Sequence, residues 1–252
     1  MEDLSYITLA VYAAIMLLAG LIHGTLGLGF PLVATPLLAL FTDVRTAILI
    51  TLLPTASVNV VSILRGGRWS ESIGRFWPLA AFAVLGSIAG TRLLVVSDPA
   101  PFKLLLAALV LLYLFASRTK AFRMRWVSGH LRLSMILFGL IAGVAAGTTN
   151  VMVPILIIYT LELGLQRTAM VQVFNLCFLA GKLTQIAVFA HAGMLTGSLL
   201  QSTSPLAIVS VAALLGGMML TQRIPTEIYR NIVRRVLLLL ALLLVVQFII
   251  QL

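Results

Sequence analysis

Two short segments hold most of the residues in this chain that are equipped to bind a solute. In the first, His23-Gly24-Thr25-Leu26-Gly27-Leu28-Gly29, an imidazole, a hydroxyl and three glycines interrupt an apolar run. In the second, Gly147-Thr148-Thr149-Asn150, two hydroxyls and a carboxamide follow a glycine in the same setting. Both resume as apolar sequence around a proline, Pro36 in the first and Pro154 in the second. Glycine permits positive φ and close backbone approach. A helix restarting after such a break presents free N–H groups and the positive end of its dipole, which suits an anion. Paired interruptions at matching positions of two halves point to a solute site inside a membrane protein.

The candidate ligands are therefore Thr25, Gly27, Gly29, Gly147, Thr148, Thr149 and Asn150 at the breaks. To these we add Asn175, Lys182 and Gln185, whose spacings of seven and three place them on one helix face. Lys182 lies fifteen residues into an apolar segment, and a cation at that depth is a functional residue by default, snorkelling outward being the alternative. His23 is a candidate for gating or proton linkage, with simple packing as the alternative. Gly20, Gly24, Gly139 and Gly143 form Gly-x-x-x-Gly pairs, the spacing of close helix contacts. Asn59, Gln172 and Thr184 fit hydrogen bonding between helices. The seven acids all fall near segment ends, so no carboxylate is placed to carry protons or sodium. Nor does the chain contain a Gly-x-Ser-x-Gly elbow, a His/Cys/Asp/Glu cluster at metal-ligand spacing, or a Walker loop. No catalytic residue, metal or cofactor is expected. An intramembrane enzyme and a non-transporting subunit of a larger complex stand as the alternatives to a solute carrier.

The elements that must position these residues follow from composition. Of 252 residues 61% are hydrophobic and 10% charged, with a mean hydropathy of +1.14. A soluble domain carries roughly a quarter charged residues. Apolar segments at 6–25, 31–41, 46–64, 76–97, 102–117, 131–147, 151–161, 167–191, 198–221 and 232–251 describe a polytopic helical membrane protein. The net charge of +10 sits in short loops between them, where it sets orientation and implies no nucleic acid. Cys177, the single cysteine, excludes an intrachain disulfide.

Segments 31–41 and 151–161 are too short to cross: eleven helical residues reach about 17 Å against about 30 Å of hydrocarbon. If each continues a kinked span, the loop cations divide eight against eight between the two faces. If each is the return arm of a re-entrant hairpin, thirteen lie inside and only Arg45, Arg92 and Lys103 outside. The positive-inside rule selects the hairpins, with the acidic start, Glu2 and Asp3, outside. Each half then holds one hairpin plus three spans, and the second half enters from the opposite face. The expected fold is all-α, with two inverted repeats at 1–117 and 131–252 joined by a basic cytoplasmic linker at 118–130. Aligned marks support the repeat: Gly20 and Gly24 with Gly139 and Gly143, Pro36 with Pro154, Arg45-Thr-Ala with Arg167-Thr-Ala, Gly86 and Thr91 with Gly216 and Thr221.

The pattern Gly-x3-Gly-x2-Gly-x-Gly…Pro-Leu-Leu over 20–38, Arg-Thr-Ala at 45–47 and Gly-x-x-x-Gly at 86–90 resembles the sulfite exporter TauE/SafE family. The second half resembles that family's repeated signature, so the likeness covers nearly the whole chain. Phe30 and Pro31, and Thr148, Thr149 and Asn150, stand where the family commonly has glycine. The resemblance implies a multi-pass permease of the bacterial inner membrane. It also implies two homologous halves and a small anionic substrate, a sulfonate or a sulfur oxyanion such as sulfite or sulfoacetate. With the cell interior negative, outward movement of an anion needs no coupling ion. The expected partners are that anion and membrane lipid.

Overall fold

The computed structural model describes residues 6–67, 69–117, 124–220 and 226–250. The expectations that fall on Glu2, Asp3, Arg68, the linker positions 118–123, Thr221 and Arg223 lie outside the described residues. The described residues form helices and no strands. In order these are α1 (Tyr6–Leu26), α2 (Phe30–Ala39), α3 (Val44–Ile50), α4 (Leu52–Gly66), α5 (Arg75–Val96) and α6 (Pro101–Ala116). They continue with α7 (Arg125–Gly129), α8 (Leu131–Thr149), α9 (Val153–Glu162), α10 (Arg167–His191), α11 (Gly197–Leu220) and α12 (Thr226–Ile250). A single π-turn, Ser70–Gly74, leads into α5.

Six of these helices, α1, α5 with its π-turn, α8, α10, α11 and α12, are long and apolar enough to cross a membrane. Large apolar side chains point away from the protein along them, among them Ile7 at 76%, Val96 at 81% and Ile250 at 78% exposure. Such a surface belongs against lipid rather than water. The chain is a polytopic all-α membrane protein.

The segment expected as one span over 46–64 is bent by 51° between α3 and α4. Pro54 lacks an N–H and crowds the carbonyl of Ile50, four residues back. Thr51 fills the break by donating its hydroxyl to the carbonyls of Ala47 and Ile48 at 3.0 and 2.9 Å. The helix α6 has sixteen residues, about 24 Å, and is shorter than a full crossing.

Both short arms turn back. The Phe138 ring, early in α8, lies 5.1 Å from that of Tyr159, late in α9, so these helices form a hairpin. Leu9 and Tyr12 of α1 share a small cavity with Thr46 and Ile50 of α3, so α2 returns the chain to the end where α1 began. The arms are unequal, 21 and 10 residues in the first hairpin and 19 and 10 in the second. At one end of the molecule Lys103 donates to the Gln247 side-chain oxygen (3.2 Å) and Gln247 donates to the Leu40 carbonyl (3.0 Å). At the other, Arg234 donates to the Ser117 carbonyl (3.2 Å) and the Met124 N–H to the Glu162 carboxylate (2.8 Å). Eight uninterrupted crossings would have put Lys103 and Gln247, and likewise Ser117 and Arg234, at opposite ends.

The glycine pairs make the tightest packing. On α1, a Cβ added to Gly20 would sit 2.6 Å from the Ser210 carbonyl oxygen of α11, and one on Gly24 would sit 2.2 Å from that of Leu214. On α8, Gly139 faces the Leu79 carbonyl of α5 at 2.6 Å and Gly143 that of Ala83 at 2.1 Å. The two crossings correspond contact by contact. The α1 glycines answer to those of α8, and Ser210, Leu214 and Met218 of α11 answer to Leu79, Ala83 and Ser87 of α5. This register corrects two of the sequence marks. Gly86, against the Leu140 carbonyl at 2.2 Å, corresponds to Gly217, against the Leu21 carbonyl at 2.4 Å, and not to Gly216. The counterpart of Pro154 is Pro31, since each stands at the second position of a ten-residue short helix, while Pro36 lies inside α2.

Candidate functional site

The first tip is the break Gly27-Leu28-Gly29 between α1 and α2. Gly27 has φ 80° and Gly29 φ 107°, angles that disfavour any residue with a Cβ. The site of a Cβ on Gly29 is open space, whereas one on Gly27 would meet the methyls of Val171 at 2.8 and 2.9 Å. His23 is fully buried and clasps this tip. Its Nδ1 accepts the Phe30 N–H (3.3 Å), which leaves the proton on Nε2 for Ser62 Oγ (3.2 Å). Ser62 in turn donates to the Val58 carbonyl at 2.8 Å. From α10, Asn175 donates its amide to the carbonyls of Gly27 (3.3 Å) and Val171 (2.9 Å). Thr25 returns its hydroxyl to the Ile22 carbonyl at 3.0 Å.

The second tip is Asn150-Val151-Met152, between α8 and α9. Asn150 alone among the described non-glycine residues has positive φ, 65°, a conformation its short polar side chain tolerates. That side chain donates to Thr35 Oγ1 (2.8 Å) on α2 and to Thr51 Oγ1 (3.1 Å) at the α3–α4 bend, tying the two hairpins together. Thr148 and Thr149 donate their hydroxyls to the carbonyls of Val144 and Ala145, each at 2.8 Å, and so close the last turn of α8. Gly147 turns its Cα toward Ser87, Gly90 and Thr91 of α5. Its Cα face is a packing surface. From α10, Gln185 donates to the Ala146 carbonyl (2.9 Å) and accepts from Lys182 Nζ (2.5 Å).

The face Asn175, Lys182, Gln185, expected as one wall, therefore serves two places. Asn175 belongs to the first tip, and Lys182 and Gln185 to the second. Lys182 is 2% exposed and does not snorkel outward. Gln185 is the partner the structure gives it, and among the described residues no carboxylate pairs with it.

Four positions needed the structure. Thr51 and Ser62 are a partner to each tip, eleven residues apart on α3–α4. Arg167 and Arg234, counted in the sequence only as orientation charges, line a cavity of about 310 Å³ with Ser117, Leu26, Leu28 and Val171. The cavity opens at the basic end of the molecule, and its apolar floor lies against the first tip. The signal for Arg167 was its place directly after a short arm, as with Arg45. No group of three or more His, Cys, Asp and Glu residues able to hold a metal occurs among the described residues.

A family profile described as Sulfite exporter TauE/SafE matches residues 12–244. The chain belongs to the TauE/SafE family. No curated protein and no solved structure matches it. Members of this family are membrane transporters. Two helices connect the tips. α4, with the bend before it, runs from the second tip at Thr51 to the first at Ser62, and α10 runs from the first at Asn175 to the second at Gln185.

Proposed function

We propose that this TauE/SafE protein exports a small anion, a sulfonate or a sulfur oxyanion such as sulfite or sulfoacetate, by alternating access around the two tips. It acts in the bacterial inner membrane with the N-terminus outside. The observation that carries the reading is the pair of helix breaks joined through buried polar side chains of α4 and α10. Irregular backbone at membrane depth is tolerated only where it is buried in protein or lines a wet cavity. The opposite directions of α4 and α10 between the tips support inverted repeats, because these helices hold equivalent places in the two halves. The recurring glycine crossings support them too.

The physical sequence runs from the basic cavity inward. Arg167 and Arg234 raise the local concentration of an anion at the mouth. Leu26, Leu28 and Val171 close the floor. Beyond it lie the first tip, the buried faces of α4 and α10, and Lys182 near the second tip. Rocking one hairpin against the other would open the opposite end, where Tyr12 and Thr46 line the smaller cavity. A negative interior drives each anionic charge outward by about 2.3 kcal/mol per 100 mV, so export needs no coupled ion.

The test is flux. Purified protein in liposomes, with no other component, should release trapped sulfite faster than empty liposomes, and an imposed potential, negative on the trapped side, should accelerate it. Release at the rate of empty liposomes, for sulfite and for sulfoacetate alike, would refute the proposal.

A further inference from the structure

We infer that the central anion subsite lies on α4 between the two tips, is made by Asn59 and Thr55, and takes a singly charged sulfonate or hydrogen sulfite group. This inference rests on the transport reading above. Thr51, Thr55, Asn59 and Ser62 follow one another at spacings of four, four and three, which makes one continuous stripe on the helix. The ends of the stripe are occupied. Thr51 accepts from Asn150 of the second tip, and Ser62 is bonded to His23 of the first. The middle is not. Thr55 and Asn59 are both 0% exposed. Yet Thr55 Oγ1 and both polar atoms of the Asn59 amide are buried with no hydrogen-bond partner among the described residues.

The other helices show what an idle side chain does here. Thr160, Thr184 and Thr203 each return their hydroxyl to the carbonyl four residues back, at 2.8 to 2.9 Å. Thr55, in the middle of such a helix, does not, a state that Thr91 of α5 shares. A buried carboxamide without partners is among the least favourable groups a core can hold, and leucine would fill the same place without that cost. A stripe satisfied at both ends and unsatisfied only at its centre is what a ligand site looks like when its ligand supplies the missing partners. The two N–H bonds of Asn59 and the hydroxyl of Thr55 are three donors, a number that suits the three oxygens of a sulfonate or hydrogen sulfite, while the Asn59 Oδ1, which only accepts, is met by the proton of hydrogen sulfite.

Charge sets the class. Asn59 and Thr55 are neutral, and the buried cation of the neighbouring α10 is Lys182. No buried carboxylate occurs among the described residues. One positive charge offsets one negative charge, and a second would be left unpaired in a low-dielectric interior. Sulfate, which puts two charges on one group of the same size, is therefore disfavoured on charge rather than on shape, whereas sulfoacetate presents a singly charged sulfonate and carries its second charge on a separate carboxylate.

Calorimetry and thermal melting on the detergent-purified protein test this with methanesulfonate, sulfite and sulfate. Wild type should bind the first two and bind sulfate at least tenfold more weakly. Asn59→Leu and the isosteric Thr55→Val should each lose at least tenfold in methanesulfonate affinity. Both should melt at or above the wild-type temperature, because an unpaired buried polar group has been removed. Wild-type affinity in these variants, or a lowered melting point with unchanged affinity, would make the residues structural and overturn the subsite. If Asn59→Leu does not fold, Thr55→Val decides by the same two readings. Sulfate binding as tightly as methanesulfonate would overturn the charge class. A wild type that binds none of the three overturns the transport reading and this inference with it.

Discussion

Adding one methyl group at Gly143 tests whether the helix crossings hold the tips in place. In Gly143→Ala the new Cβ would stand 2.1 Å from the Ala83 carbonyl oxygen, 2.8 Å from the Ser87 nitrogen and 2.9 Å from the Ala83 carbonyl carbon. All three are backbone atoms of α5, so no side chain can swing aside. Ordinary van der Waals contact begins at 3.4 Å, so α5 and α8 must separate by about 1 Å or more at this level. A gap of 0.5–1 Å already forfeits about a quarter to a half of each dispersion contact around it, and overpacking of this kind costs about 1–3 kcal/mol. For a chain of this size that is a fall of roughly 2–12 °C in melting temperature. The same shift moves Gly147 and the second tip, so transport should fall further than folded protein does. Melting in detergent and sulfite flux per folded molecule in liposomes measure the two effects. Gly197→Ala, at a helix start with no atom within 4 Å of the new Cβ, is the control and should leave both unchanged. If Gly143→Ala melts and transports like wild type, the crossing is not as close as described and the reasoning fails.

Lys182→Met should lower anion affinity about tenfold to a hundredfold, the range expected for losing one charge-assisted hydrogen bond of about 1.5–3 kcal/mol. Lys182→Arg should keep part of the affinity by keeping the charge, and equilibrium binding of sulfite that is equal in Lys182→Met and wild type would remove this lysine from the site. Orientation is tested with single cysteines at the exposed positions Arg132 and Gly193, native Cys177 being buried. Two hairpins place these sites on opposite faces, so a membrane-impermeant reagent added outside intact cells should label the cysteine at 193 and spare that at 132; labelling of both from outside would fit eight simple crossings instead.

Much of the fold was legible because it depends on local quantities. The length of an apolar run decides whether it can cross, and 31–41 and 151–161 fell short on length alone. Loop charges then separated hairpins from kinked spans, and the bonds Lys103–Gln247 and Arg234–Ser117 agree with that choice. The helix boundaries also stay close to the apolar segments, except that α12 begins at Thr226, six residues before the expected 232, because an apolar window does not register the polar first turns of a helix.

The pairing of elements was not legible. A glycine four residues from another marks a face for close packing, but periodicity does not name the partner. Only the tertiary structure matched Gly24 to Gly217 and Gly143 to Ala83, and so set Gly217 rather than Gly216 against the backbone of α1. The candidate site divided for the same reason. Asn175, Lys182 and Gln185 do share a helix face, as their spacing requires, but α10 is long enough to reach both tips, and the carbonyls that claim each amide come from Gly27 and Ala146, far away in sequence. Sequence alone determined that this chain lies in a membrane, breaks two of its helices with polar residues and carries no carboxylate deep in a span. The tertiary structure decided which buried polar groups are already paired and which, Asn59 and Thr55 among them, are not, because hydrogen-bond satisfaction is settled largely between chain segments.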